Sequence, residues 1–316
     1  MSQPATPQPA RLGLAGASGT RELLRRLELD VVVKLDGMLH GDHLGLVPGH
    51  GSEPGETRRY VPGDDVRRID WNVTARTQEV YVRQSVADRE LETHLLVDLS
   101  PSLDFGTARY EKRDLSLAAA AAVGLLTSKL GNRVGAVLAL PGEVVAIPPR
   151  SGRAHLLAIL DRIATAPRVE GSVPDLALSF ARAQAISRRF RGLVVYISDF
   201  LGDDAWKEGL RRLSLRHEVL AIEVLDPREL ELPDVGVLSL IDPSTGRSID
   251  VATGNAKVRD RYAAAAREQR AQIAADIRSS GAEHLILRTD EDWILELARF
   301  VALRRSRGAA RSKVGR

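Results

Sequence analysis

Cysteine is absent from all 316 residues of the chain. Disulfides and the cysteine-ligated zinc and iron–sulfur sites are therefore excluded, which fits a reducing compartment. Lysine is scarce: six of the 45 basic residues are lysine and the rest are arginine. No apolar run is long enough to cross a bilayer. The longest, near Leu115 to Leu126, falls short of the roughly 20 residues a spanning helix needs. The N-terminal text MSQPATPQPARLGLAGASG lacks a charged start followed by an apolar core, so it does not read as a signal peptide. These absences predict a cytoplasmic protein with no membrane span.

Several catalytic signatures are missing too. There is no G-x-x-x-x-G-K-[ST], so the chain has no P-loop. There is no G-x-S-x-G elbow, and the seven histidines show no pattern tied to a serine. His40, His43 and His50 lie in a glycine-rich stretch that reads as a solvated loop rather than a zinc site. The net charge is only +3 despite a pI near 9.3. Six basic residues sit between Arg304 and Arg316 without an acid among them. No basic cluster marks the rest of the chain, so no specific nucleic-acid partner is expected.

What is present divides into four parts. Residues 1–20, rich in Pro, Gln, Ala and Gly, read as a disordered leader. Residues 21–90 read as a small β-rich region, with a short helix over Arg21–Leu29, a loop over 40–57 and a strand at Glu79–Gln84. Residues 91–305 alternate buried strands with helices, and residues 306–316 form a basic tail. In the third part, ETHLLVDLS, GLVVYISDF and HEVLAIEVLDP are apolar runs that end in polar residues. Hairpins are expected at Arg133–Pro149 and at 235–251, each turning at Pro and Gly. The pattern predicts an α/β fold whose mainly parallel sheet carries helices on both faces.

Ligands of open α/β sheets gather at the carboxyl ends of the strands. Two strand ends here carry oxygen donors: Asp98, Ser100 and Ser102 in DLSPS, and Ser198 and Asp199 in SDF. Two carboxylates and several hydroxyls suit Mg²⁺ or Mn²⁺. A D-x-S-x-S that closes an apolar strand, with a second strand-end Asp later in the chain, is far more specific than the motif alone. The bland alternative is that both aspartates only cap loops and helices. A phosphohydrolase using Asp98 as nucleophile is the other chemical reading. That chemistry wants a general acid two residues on, where Ser100 stands.

The stretch RRYVPGDDVRRIDWNVTART, Arg58 to Thr77, crowds five arginines and three aspartates around a Pro-Gly turn. Val61-Pro62-Gly63-Asp64 suits a type II turn, with Asp64 or Asp65 capping a short helical turn through Ile69. Arg67, Arg68 and Arg76 are placed to pair with Asp64, Asp65 and Asp70, and Trp71 offers a large face for packing. Arginines hold such aspartates ionised, which makes the cluster a poor acid–base engine and better suited to an ion-paired scaffold or a partner surface. No catalytic residue is assigned.

LVDLSPSLDFG, the hairpin after the first helix, and VVYISDF resemble the von Willebrand factor A domain and its metal-ion-dependent adhesion site. KLDGMLHGDH, RRYVPGDDVRRIDWNVTARTQEVYVRQ and DRELETHLLVDLSPS resemble, more narrowly, the bacterial DUF58 family, from about Leu35 to Arg305. Arg59, Tyr60, Gly63, Asp64, Asp65, Arg67, Asp70, Trp71 and Arg76 carry that second likeness. It implies a β-rich N-terminal part followed by a von Willebrand A-like (Rossmann-like) domain. It further implies a non-catalytic adaptor that works with a MoxR-type AAA+ ATPase on client proteins. The adhesion-site likeness implies Mg²⁺ or Mn²⁺ on Asp98, Ser100, Ser102 and Asp199. The sequence departs from that pattern at Pro174 in GSVPDL, where a threonine is usual; Ser172 and Asp175 are the candidates to replace it.

Overall fold

Strands β3 (Glu92–Asp98), β4 (Arg133–Leu140), β6 (Gly192–Ser198) and β7 (Glu218–Leu225) are buried almost end to end, as unbroken apolar text requires of strands covered on both faces. The computed structural model describes residues 57–61, 66, 69–83, 92–128 and 131–314. The expected leader, the helix at Arg21–Leu29, the three loop histidines, and Gly63, Asp64, Asp65, Arg67 and Arg68 lie outside the described residues. Two compact units are present, Pro48–Glu90 and a larger one that contains Leu91–Arg316.

In the smaller unit, β1 (Thr57–Arg59) pairs antiparallel with β2 (Tyr81–Arg83). Between them runs α1 (Trp71–Thr77). Asp70 is its N-cap, accepting hydrogen bonds from the backbone N–H groups of Asn72 and Val73 at 3.1 and 3.3 Å. Such a cap contributes about 1 kcal/mol. The helix thus starts after Asp70, whereas the expected helical turn ended at Ile69. Arg76 donates to the Asn72 carbonyl at 3.2 Å, and Arg59 pairs with Glu79 at 2.7 Å. Trp71, on the first turn of this helix, is exposed.

With β5 at Glu143–Arg150 and β10 at Glu283–Arg288, the larger unit is built on one six-stranded sheet in the order β10-β7-β6-β3-β4-β5. Every pairing is parallel except that of β4 with β5, the hairpin turned at Pro141-Gly142. Alternate strand residues enter two cores. Leu95, Val97, Val195, Ile197 and Ile222 face α2 (Lys112–Ser128), α3 (Arg153–Ala164) and α7 (Trp293–Val314). Leu96, Val194, Tyr196 and Ala221 face α4 (Leu176–Ile186), α5 (Ala205–Ser214) and α6 (Ala256–Ser279). This is the mainly parallel α/β sheet, covered by helices on both faces, that the alternation predicted.

Helix α2 is buried around its whole circumference from Lys112 to Thr127, which its alanine run permits. The last helix continues to Val314, through most of the stretch expected as a tail. The second hairpin, β8 (Val237–Ile241) with β9 (Ser248–Ala252), forms a separate two-stranded sheet joined to β10 (Glu283–Arg288) through α6. Its turn reaches the segment before α4, where the Gly171 N–H donates to the Pro243 carbonyl at 3.0 Å.

Candidate metal centre at the carboxyl edge of the sheet

Strands β3 and β6 are direct neighbours, with Val97 opposite Ile197. This register brings Asp98 and Ser198 to the same edge at the same level. The Ser198 hydroxyl donates to Asp98 Oδ2 at 2.7 Å, and the Ser100 N–H donates to Asp98 Oδ1 at 2.9 Å. Ser100 and Ser102 share a hydroxyl–hydroxyl hydrogen bond of 2.9 Å. The Ser102 hydroxyl is near enough to Asp199 to favour its charged form. All four residues expected to hold a metal therefore lie at one edge of the sheet, with Asp98 joined to the Ser100 N–H, and the Ser100 hydroxyl to that of Ser102, by hydrogen bonds.

The backbone after Asp199 is bent to make this possible. Phe200 has φ of 59°, a left-handed conformation unusual for a bulky residue. It is held by a hydrogen bond from its N–H to the Ser198 hydroxyl at 3.0 Å. Its ring is wedged edge-on between Tyr196 and Trp206, with centroids 5.2 and 5.0 Å away. The bend leaves the Leu201 N–H donating to Asp199 Oδ1 at 3.1 Å.

The two carboxylates differ in charge balance. Burial pushes Asp98 up to about 6, and the Asp199 charge adds to the rise; hydrogen bonds from Ser198 and Ser100 offset only part of it. Burial acts on Asp199 as well, but the charge and hydrogen bond of Lys112 outweigh it and hold that carboxyl below the usual range. Lys112 Nζ lies 2.7 Å from Asp199 Oδ2 and 2.5 Å from Glu229 Oε1. Glu229 Oε2 accepts from Arg270 at 3.4 Å, and Arg270 also donates to the Asp199 carbonyl and to Glu223, both at 2.9 Å. Glu223 closes the chain on His284 at 2.7 Å.

The donor set fits a hard divalent cation. It consists of carboxylate and hydroxyl oxygens, and no described cation hydrogen-bonds to Asp98. Among the described residues, no group of three His, Asp or Glu side chains is arranged to hold a metal. A cation here would rely on the serine hydroxyls and on water to complete its shell, as Mg²⁺ commonly does. Asp226, the third strand-end carboxylate, makes a contrast. Thr107, Thr289 and Arg228 all donate to it, so it is fully committed to the fold.

The two substitute ligands fare differently. Asp175 is the N-cap of α4 and accepts from the Leu178 N–H at 2.8 Å. Its carboxylate therefore serves the helix. Ser172 is half-buried in the preceding segment. Pro174 forms a β-bridge with Pro141 at the top of β4, fixing that segment to the sheet edge. Sequence reasoning did not single out Lys112, Glu223, Glu229 or Arg270. Their one signal is that Lys112 is among only six lysines in an arginine-rich chain.

Mycobacterial proteins are similar to this chain over most of its length. It is 56% identical over 291 residues to "Uncharacterized protein Rv1480" of Mycobacterium tuberculosis, spanning 90% of each chain. The same figures hold for "Uncharacterized protein Mb1516" of Mycobacterium bovis. Among solved structures, the conserved hypothetical protein BatB from Bacteroides thetaiotaomicron is similar at TM-score 0.42 and 12% identity, covering 68% of this chain and 99% of that one. The SpRpn10 VWA domain is similar at TM-score 0.37 and 10% identity, covering 65% and 91%. The model of the family described as "Protein of unknown function DUF58" matches residues 56–272. The match takes in both the Asp70–Trp71 stretch and the strand ends bearing Asp98 and Asp199, and by it this chain belongs to the DUF58 family.

Proposed function

We propose that this protein is a non-catalytic, metal-dependent protein-binding adaptor. The observation that carries the reading is the meeting of Asp98, Ser100, Ser102 and Asp199 at one sheet edge, with Asp98 buried and, among the described residues, hydrogen-bonded to no cationic side chain. Mg²⁺ or Mn²⁺ held by these oxygens would supply an electrophilic centre for a carboxylate of a partner protein. The chain's own groups orient that set. Ser198 and the Ser100 N–H fix Asp98, while Leu201 and Lys112 fix Asp199. The β8–β9 hairpin supports a protein-binding role, because Val237, Ile241 and Ile249 are exposed on it and its turn touches the 165–175 segment.

The family resemblance supports a MoxR-type AAA+ ATPase as partner, with the adaptor selecting or remodelling client proteins in the cytoplasm. No helix among the described residues is long and apolar enough to cross a membrane. The phosphohydrolase reading has weaker support, since Ser100, at the general-acid position, offers only a hydroxyl already bonded to Ser102.

Calorimetric titration with Mg²⁺ and Mn²⁺ tests the reading. The wild type should bind one ion and Asp98→Ala none. Capture of the MoxR-type ATPase should fall when EDTA is added. Capture that ignores EDTA, alongside measurable metal binding, would remove the metal from the recognition step.

A further inference from the structure

A cation already stands at the candidate centre. The Lys112 side chain is fully buried at the start of α2, and its ammonium bridges Asp199 and Glu229. Burying an ammonium this completely is unfavourable unless each charge is matched, and here two carboxylates match it. Its placement is not incidental to the loop before α2. The Lys112 N–H donates to the Phe105 carbonyl at 2.8 Å, and the ammonium lies 5.9 Å from the centre of the Phe105 ring. Gly106 permits that turn, because a Cβ there would meet the Tyr110 carbonyl at 2.4 Å.

We infer that Lys112 is a resident counter-ion that competes with a divalent cation for Asp199 and sets the metal affinity of the site. The inference rests on the adaptor reading and deepens it. Asp199 has two oxygens; Leu201 takes one and the Lys112 ammonium the other. A divalent ion held at this edge with Asp199 among its ligands would stand close to the ammonium, and like charges at such range repel strongly. Glu229 makes exchange feasible. It lies 2.5 Å from the ammonium, so Lys112 keeps a partner when Asp199 turns to the metal. Glu229 is itself held by the Asp226 N–H at 3.1 Å and by Arg270, and so is fixed as the receiving carboxylate. Lysine suits this role better than arginine, because its compact, flexible head can move between two acceptors that a planar fork would clamp.

The test compares Mg²⁺ titrations of the wild type, Lys112→Met and the double variant Lys112→Met/Glu229→Gln. The single variant removes the ammonium and leaves the buried Asp199 and half-buried Glu229 carboxylates without it, so its melting temperature in EDTA should fall and Mg²⁺ should raise it more than in the wild type. The double variant removes one charge of each sign, which restores the balance and guards against simple unfolding. Both should bind Mg²⁺ at least tenfold more tightly than the wild type. Binding by the variants alone would support the inference more strongly still. Equal or weaker binding by the double variant, with the wild type binding normally, would overturn it and leave the metal reading intact. If no protein binds Mg²⁺ or Mn²⁺, the metal reading fails and the inference with it.

Discussion

Asp98→Asn should melt above the wild type in EDTA at pH 7 and should fail to respond to Mg²⁺. Asp98 is buried beside the Asp199 charge, with no described cation bonded to it. Its carboxyl is raised from 3.8 to about 6 on folding. That shift corresponds to roughly 3 kcal/mol. The sign follows from the raised value. The protonated form favours the native state at low pH, and that contribution is lost as pH rises through about 6. The amide removes the loss. One of the hydrogen bonds from Ser198 and the Ser100 N–H would go with it, offsetting about 1 kcal/mol. The net gain is thus about 2 kcal/mol, or roughly 5 °C in melting temperature for a domain of this size. It should grow between about pH 4 and pH 6, and on the proposed metal reading it should shrink in millimolar Mg²⁺, whose binding would stabilise only the wild type. Melting in EDTA across that pH range checks it. A variant less stable than the wild type at every pH would make Asp98 a structural cap.

Gly192→Ala should destabilise the larger unit by about 3–5 kcal/mol, at the upper end for a single substitution. Gly192 opens β6 and sits opposite Glu92, the first described residue of β3. A Cβ at Gly192 would lie 1.9 Å from the Glu92 carbonyl oxygen. That atom is backbone in a central strand flanked by β4, so it cannot swing aside as a side chain would. The two strands would have to part at the end where their register is set. The same register brings Asp98 and Ser198 together six residues later, so metal affinity should fall along with stability. Guanidinium unfolding of the variant gives the first quantity, and calorimetry at a temperature where it is still folded gives the second. An unfolding free energy within about 0.5 kcal/mol of the wild type would show that the strands separate at little cost.

The sheet was legible because its physics is local and repetitive. β3, β6 and β7 are continuous apolar runs, and such runs are what two covered faces demand. The helices carried their apolar spacing, and both hairpins announced their turns through Pro and Gly. Asp98 and Asp199 were legible for the same reason: each ends such a run. Lys112 was not. In EKRDLSL it reads as one more charge on the first turn of a helix, and only the fold places it against residues 87 and 117 positions away. Glu223, Glu229 and Arg270 share that difficulty, since their meaning lies in long-range pairing. The left-handed turn at Phe200 has no glycine to signal it. In α1 the N-cap was present in the text as Asp70, but WNVTART has no apolar period to mark it as a helix.

Anomalous diffraction from crystals grown with Mn²⁺ would locate a cation between the two strand ends directly. A single Mn²⁺ peak about 2 Å from the Ser100 and Ser102 hydroxyls, within reach of Asp98 and Asp199 and with Lys112 turned to Glu229, is the predicted result. Crystals in saturating Mn²⁺ that show no peak at this edge, with Lys112 still bonded to Asp199, would contradict it.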